Sequence, residues 1–112
     1  MDLDQQEINE NQVIEEFGRQ LLVPGISEAG QNNLLKKNIL LIGLGALGTI
    51  ASQYLVRAGI GSITLLDFDR VSLSNLHRQI NYNKNDIDQY KSEISKKILL
   101  NINSVTKIVQ YP

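Results

Sequence analysis

The sequence predicts an α/β fold: a Rossmann-like, doubly wound parallel sheet, present as a β-α-β-α-β half in strand order 3-2-1 behind two short N-terminal helices. Three observations predict it. An apolar run, Ile39 to Ile42, leads into Gly43-Leu44-Gly45-Ala46-Leu47-Gly48. Apolar residues then recur at Leu47, Ile50, Ala51, Tyr54, Leu55 and Ala58, the spacing of one helical stripe, before a second run from Ile63 to Leu66 ends on Asp67. From about Asp88, Tyr90, Ile94, Ile98 and Ile102 repeat the pattern of an amphipathic helix, and Val105 to Tyr111 reads as a third strand. Right-handed crossovers that move one way along the sheet put both crossover helices on the same face.

Taken in order, the first ten residues are polar and expected to fray. Val13, Ile14, Phe17 and Leu21 suit a short helix between Ile8 and Leu22, and Pro24-Gly25 breaks it. Ser27 is expected to cap a second helix running to about Lys36. Residues 1–37 thus form an N-terminal helical segment, and 38–112 a nucleotide-binding half of one domain. Strand one, Ile39 to Ile42, is apolar on both faces, as a buried strand would be. At the edge of three strands, its outer side and the uncovered sheet face call for a partner. Ala58-Gly59-Ile60-Gly61 ends the central helix, and the Asn- and Asp-rich stretch from Ile80 to Asp88 is expected to be an ordered loop.

The glycine turn carries the first chemical signal. In G-x-G-x-x-G between strand and helix, the first glycine permits the bend, the second admits a phosphate to the backbone, and the third lets helix pack on strand. Here these are Gly43, Gly45 and Gly48, with the helix N-terminus near Ala46 facing the phosphates and Asp67 placed for a ribose. An NAD-dependent oxidoreductase would share all of this. It has no general use for an Asn and an Arg further on, yet Asn75 and Arg78 lie three apart and share a side in a helical turn. A guanidinium there can grip an anion with two parallel bonds.

The run Asp67-Phe68-Asp69-Arg70-Val71-Ser72-Leu73-Ser74-Asn75-Leu76-His77-Arg78-Gln79, following the glycine turn, resembles the ubiquitin-activating superfamily. Within it, the similarity is to the N-terminal half of sulfur-carrier adenylyltransferases of the ThiF, MoeB and HesA type, which serve molybdopterin and thiamine biosynthesis. The resemblance implies ATP with Mg²⁺, and adenylation of the C-terminal glycine of a ubiquitin-like sulfur-carrier protein. It assigns Arg19, Arg78 and Lys91 to catalysis, and Gly43, Gly45, Ala46, Gly48, Asp67, Asp69, Asn75, Arg78 and Lys91 to the nucleotide. Arg19, in Phe17-Gly18-Arg19-Gln20, corresponds to an arginine that reaches across a homodimer. His77 is expected to be a plain loop residue.

Three positions depart from the family pattern: Ala46 stands where glycine is commoner, and Asp88 and Tyr90 stand where glycine and proline precede the lysine. The family's magnesium aspartate, zinc cysteines and acceptor cysteine would all fall beyond Pro112. The resemblance therefore implies a truncated chain, inactive alone, that pairs with a second copy or a complementary C-terminal half. The two rival readings are a non-catalytic nucleotide- or partner-binding half-domain and the oxidoreductase fragment.

Composition narrows the partners. With 11 basic and 12 acidic residues in 112, the chain lacks the basic excess that nucleic acid or an anionic membrane would favour. No apolar run reaches the roughly 18 residues of a membrane span, and the acidic N-terminus is unlike a signal peptide. The expected compartment is the cytoplasm or an organelle stroma. There is no cysteine, which excludes disulfides, thioesters and thiolate zinc sites within these residues.

Overall fold

The computed structural model describes residues 10–112, so the expectations for residues 1–9 lie outside the described residues. The elements in chain order are α1 (Glu10–Phe17), α2 (Ser27–Leu35), β1 (Asn38–Ile42), α3 (Ala46–Arg57), β2 (Ser62–Leu66), α4 (Lys91–Leu100) and β3 (Lys107–Tyr111). Short 3-10 turns occupy Gln20–Leu22, Leu73–Asn75 and Lys84–Asp86. The three strands are parallel in the order β1-β2-β3, with Ile39 opposite Ile63 and Ile63 opposite Ile108. That register aligns Ile39, Leu41, Ile63, Leu65 and Ile108 on one face, where they meet Leu44, Val56, Ile60 and Leu99 in the main core. A second cluster of Val71, Tyr82 and Ile94 roots the long loop after β2.

The other sheet face is open. Leu40, Ile42, Leu66 and Tyr111 are exposed there, so β1 is apolar on two faces but buried on only one. On α3 the helical period holds, yet only part of the stripe faces inward: Leu55 packs on the main core, whereas Leu47 is 85% exposed, and Ile50 and Tyr54 are exposed too. Thr49, Ser52 and Val56 are buried instead. Small hydroxylated residues let α3 approach its neighbours closely, and they satisfy themselves on their own helix, Thr49 Oγ1 donating to the Gly45 carbonyl and Ser52 Oγ to that of Thr49.

Several boundaries move for local reasons. Ser27 is the first residue of α2, at φ +53, and makes no cap. α1 stops at Phe17, and Gly18-Arg19 forms a turn into the 3-10 residues. β3 begins at Lys107 because Asn103 Oδ1 accepts the N–H groups of both Val105 and Thr106, removing them from the ladder. α4 starts at Lys91, and Tyr90 serves as its N-cap. The N-terminal segment is fastened to the far end of α3 by two glutamines: Gln20 Nε2 and the fully buried Gln31 Nε2 both donate to the Ala58 carbonyl.

Candidate functional site

β1 runs out at Ile42 and the chain enters α3 at Ala46. Gly43 makes the bend at φ +94, a left-handed value open to glycine, and its N–H donates to the Leu66 carbonyl at 2.8 Å. Gly48 lies so close to this bend that a Cβ there would overlap the Gly43 carbonyl oxygen. Gly45 faces more room: the nearest atom to a Cβ built on it is Gln79 Nε2, at 3.8 Å. No side chain caps α3 at Gly45. The N–H groups of its first turn, beginning at Ala46, therefore project at the positive end of the helix dipole, which is an anion-binding geometry.

The Leu44 peptide between the glycines is gripped from both sides. Its N–H donates to Asp67 Oδ2 and its carbonyl accepts the Tyr82 hydroxyl, each at 2.7 Å. The second Asp67 oxygen accepts the Asp69 N–H at 2.7 Å. Asp67 is thus a clamp between the turn and the loop that follows β2, and a ribose would have to use its remaining lone pairs. Burial pushes the Tyr82 phenol well above the usual tyrosine range; the Ser95 hydrogen bond opposes this and the Asp67 charge adds to it.

From Asp69 the contacts pass to Lys91. The segments around Arg70 and Tyr90 pair as a short antiparallel bridge, with Arg70 stacked 4.2 Å from the Tyr90 ring centre. The Lys91 N–H donates to the Asp69 carbonyl, and Lys91 Nζ lies 3.9 Å from Asp69 Oδ2. Lys91 is buried, with a side chain only 7% exposed, and its one ion pair among the described residues, to Asp69, lies beyond hydrogen-bonding distance. Asp88 sits at φ +70 and Tyr90 at φ −65. These are backbone values that glycine and proline favour, adopted here by Asp88 and Tyr90.

Asn75 is buried, and its Oδ1 accepts from both the backbone and the hydroxyl of Ser72, closing the 3-10 turn. Its amide nitrogen and the exposed Arg78 guanidinium make no hydrogen bond to another described residue, and His77 is exposed beside them. The same loop touches the glycine turn through Gln79 and Tyr82. Arg19 stands apart. It lines an open cavity of about 500 Å³ with Ile14, Phe17, Gln20 and Arg57. Since Arg57 ends the 12-residue α3, which rises about 18 Å along its axis, Arg19 sits beside the end of that helix away from the glycine turn.

The fold therefore joins Gly43, Gly45, Ala46, Gly48, Asp67, Asp69 and Lys91 by direct contact, carries Asn75 and Arg78 on the adjoining loop, and leaves Arg19 at the opposite end. Sequence reasoning missed Gln79 and Tyr82. Tyr82 could have been noticed as the one aromatic in the polar run Asn81 to Asp86. Among the described residues no group of three or more His, Cys, Asp or Glu side chains is placed to hold a metal ion, and no helix is long and apolar enough to cross a membrane.

The sequence profile of the ThiF family matches residues 17–112. The chain is 47% identical over 87 residues to the sulfur carrier protein ThiS adenylyltransferase of Escherichia coli, covering 78% of this chain and 35% of that protein. It is 46% identical, with the same coverage, to the molybdopterin-synthase adenylyltransferase of the same organism. Among solved structures, the tRNA N6-threonylcarbamoyladenosine dehydratase TcdA of E. coli, in complex with ATP, superimposes with a TM-score of 0.81 at 28% identity, covering 88% of this chain and 40% of that one. The chain spans about a third of the length of these adenylyltransferase relatives.

Proposed function

Because this chain belongs to the ThiF family, we propose that it is the nucleotide-binding part of an ATP-dependent adenylyltransferase acting on the C-terminal glycine of a ubiquitin-like sulfur-carrier protein. The observation that carries the proposal is the buried Lys91 ammonium, linked through Asp69 and Asp67 to an uncapped glycine turn. A buried cation linked in this way to a turn with free N–H groups suits a polyphosphate, whose charge both can neutralise. An oxidoreductase would leave Lys91 and Arg78 without a task.

In this reading residues 38–112 bind the nucleotide, and the helical segment 1–37 presents Arg19. Gly43, Gly45, Ala46 and Gly48 shape the phosphate turn, Asp67 holds the ribose, and Asp69 orients Lys91. Asn75, Arg78 and Lys91 offset charge as the carrier's carboxylate attacks the α-phosphorus, releasing pyrophosphate and leaving an acyl-adenylate. Positioning and charge neutralisation are sufficient for that step. Arg19 belongs to the site of a second protomer, consistent with its distance from its own glycine turn. A magnesium ion would accompany the ATP, but the described residues offer it no cage.

Carrier-dependent exchange of pyrophosphate into ATP, measured in the protein at its full natural length, tests the reading. Exchange that requires a carrier ending in glycine supports it. Tight binding of NAD with no affinity for Mg·ATP would return the oxidoreductase reading instead.

A further inference from the structure

A buried hub of hydrogen bonds joins the two crossover helices to the loop between them. Asn81, on that loop, is 1% exposed, and each polar atom of its side chain has a partner. Its Nδ2 donates to Ser52 Oγ on α3 at 3.2 Å and to Ser95 Oγ on α4 at 3.0 Å. Its Oδ1 accepts Gln53 Nε2 of α3 at 3.0 Å, and Arg57 Nε orients the Gln53 amide by donating to its oxygen. Ser95 Oγ also lies 3.3 Å from the Tyr82 hydroxyl. With both Asn81 amide hydrogens committed, the donors run one way, from Asn81 through Ser95 and Tyr82 to the Leu44 carbonyl, so each bond polarises the next.

The hub matters for what the two helices carry. α3 begins at the glycine turn and α4 begins at Lys91, and Ser52 and Ser95 each lie within two turns of those ends. Further along, Val56 and Leu99 meet in the main core. Nearer the N-termini the buried residues are Thr49 and Ser52 on α3 and, beyond Lys91 itself, Ser92 and Ser95 on α4, while Ile94 packs in the second cluster. Apolar contact is non-directional, and with so little of it here the directed bonds decide the offset between the helices.

We infer that Asn81 is a positioning residue: its amide holds the first turns of α4 in register with α3, and so sets where the Lys91 ammonium stands relative to the glycine turn. The inference rests on the nucleotide reading above. Asn81 is enclosed by protein and acts through Lys91, whose own N–H is anchored separately by the Asp69 carbonyl. This role explains why an amide occupies a sealed position that leucine, with the same branched outline, could fill.

The test is a double-mutant cycle in the full natural-length protein, with Asn81→Leu and Lys91→Ala as the two substitutions and calorimetric Mg·ATP affinity as the readout. Each should weaken binding, Asn81→Leu by about threefold or more. In the Lys91→Ala background the loss caused by Asn81→Leu should shrink to less than half on a logarithmic scale, because the cation it places is gone. A purely structural residue would cause the same loss in both backgrounds, so persistence of half or more overturns the inference. A loss below threefold in folded Asn81→Leu overturns it too. If Asn81→Leu does not fold, Ser95→Ala, which detaches α4 from the amide by deleting one hydroxyl, carries the same cycle. Unchanged affinity in Lys91→Ala, or a wild-type protein that does not bind Mg·ATP, overturns the nucleotide reading and this inference together.

Discussion

Replacing Tyr82 by Phe removes one oxygen from the least exposed part of the site. Leu44 is fully buried, and the hydroxyl of Tyr82 donates to its carbonyl at 2.7 Å. Deleting that donor leaves a buried carbonyl without its partner, which costs about 1 to 3 kcal/mol. For a chain of this size, 1 kcal/mol corresponds to roughly 4 to 8 °C in melting temperature. Urea unfolding followed by circular dichroism at pH 7 should therefore place Tyr82→Phe well below wild type. The gap should also depend on pH. The folded state raises the Tyr82 pKa, so the native protein binds the phenolic proton more tightly than the unfolded chain does. That stabilisation is complete below the unfolded value of about 10 and is lost as pH rises above it. Wild type should fall towards the variant between about pH 10 and 11, by at most 1.4 kcal/mol per pH unit. A variant within about 0.3 kcal/mol of wild type at pH 7, below the usual cost of such a deletion, would refute the reasoning, as would a gap that stays constant through pH 11.

Other substitutions address the remaining parts of the site. Asp88→Gly should stabilise the chain by about 0.5 to 1 kcal/mol, since the left-handed backbone at φ +70 suits glycine better; a lower melting temperature would count against that account. Arg78→Ala should leave stability within about 0.5 kcal/mol of wild type, because the guanidinium has no described partner, while Mg·ATP binding weakens at least tenfold. Unchanged affinity in the folded variant would remove Arg78 from the site. Arg19→Ala and Arg78→Ala should each abolish adenylation, yet mixing the two subunits should restore about a quarter of wild-type exchange, because half of the random dimers regain one intact site. No recovery on mixing would place Arg19 elsewhere.

Much of the fold was legible because periodicity and glycine report local geometry. The strand-turn-helix unit from Asn38 to Arg57 follows from an apolar run, three glycines and a helical spacing, and the parallel order follows from crossover handedness. Which face of α3 goes inward was not legible. Hydrophobicity favoured Leu47, Ile50 and Tyr54, but close packing selected Thr49 and Ser52, whose hydroxyls are satisfied by their own helix. Ser27 as a cap failed for a similar reason, since a residue type suited to capping still needs the right backbone angles, and φ +53 denies them. Around the glycine turn, the expected Asp67, Asp69 and Lys91 stood out by their charge, and the structure brings them into contact. Gln79 and Tyr82 did not, because what marks them lies in their surroundings: one side-chain oxygen has no partner and the other bridges residues 38 apart.

The sheet register also sets an order of events during folding. Pairing β1 with β2 closes a loop between Asn38 and Ser62, 24 residues apart, whereas pairing β2 with β3 joins Ser62 to Lys107 across about 45. The longer closure costs about 0.6 kcal/mol more chain entropy. Its crossover also contains the long loop whose turns around Ser72 and Asn83 must form before α4 can dock. The unit from β1 to β2 should therefore assemble first. Pulse-labelled hydrogen exchange during refolding should protect Leu41 and Thr64, whose N–H groups lie between β1 and β2, before Val109; simultaneous protection would mean that the sheet forms in one step. A newly made chain would then complete its glycine turn before Lys91 arrives, and the site would acquire its cation last.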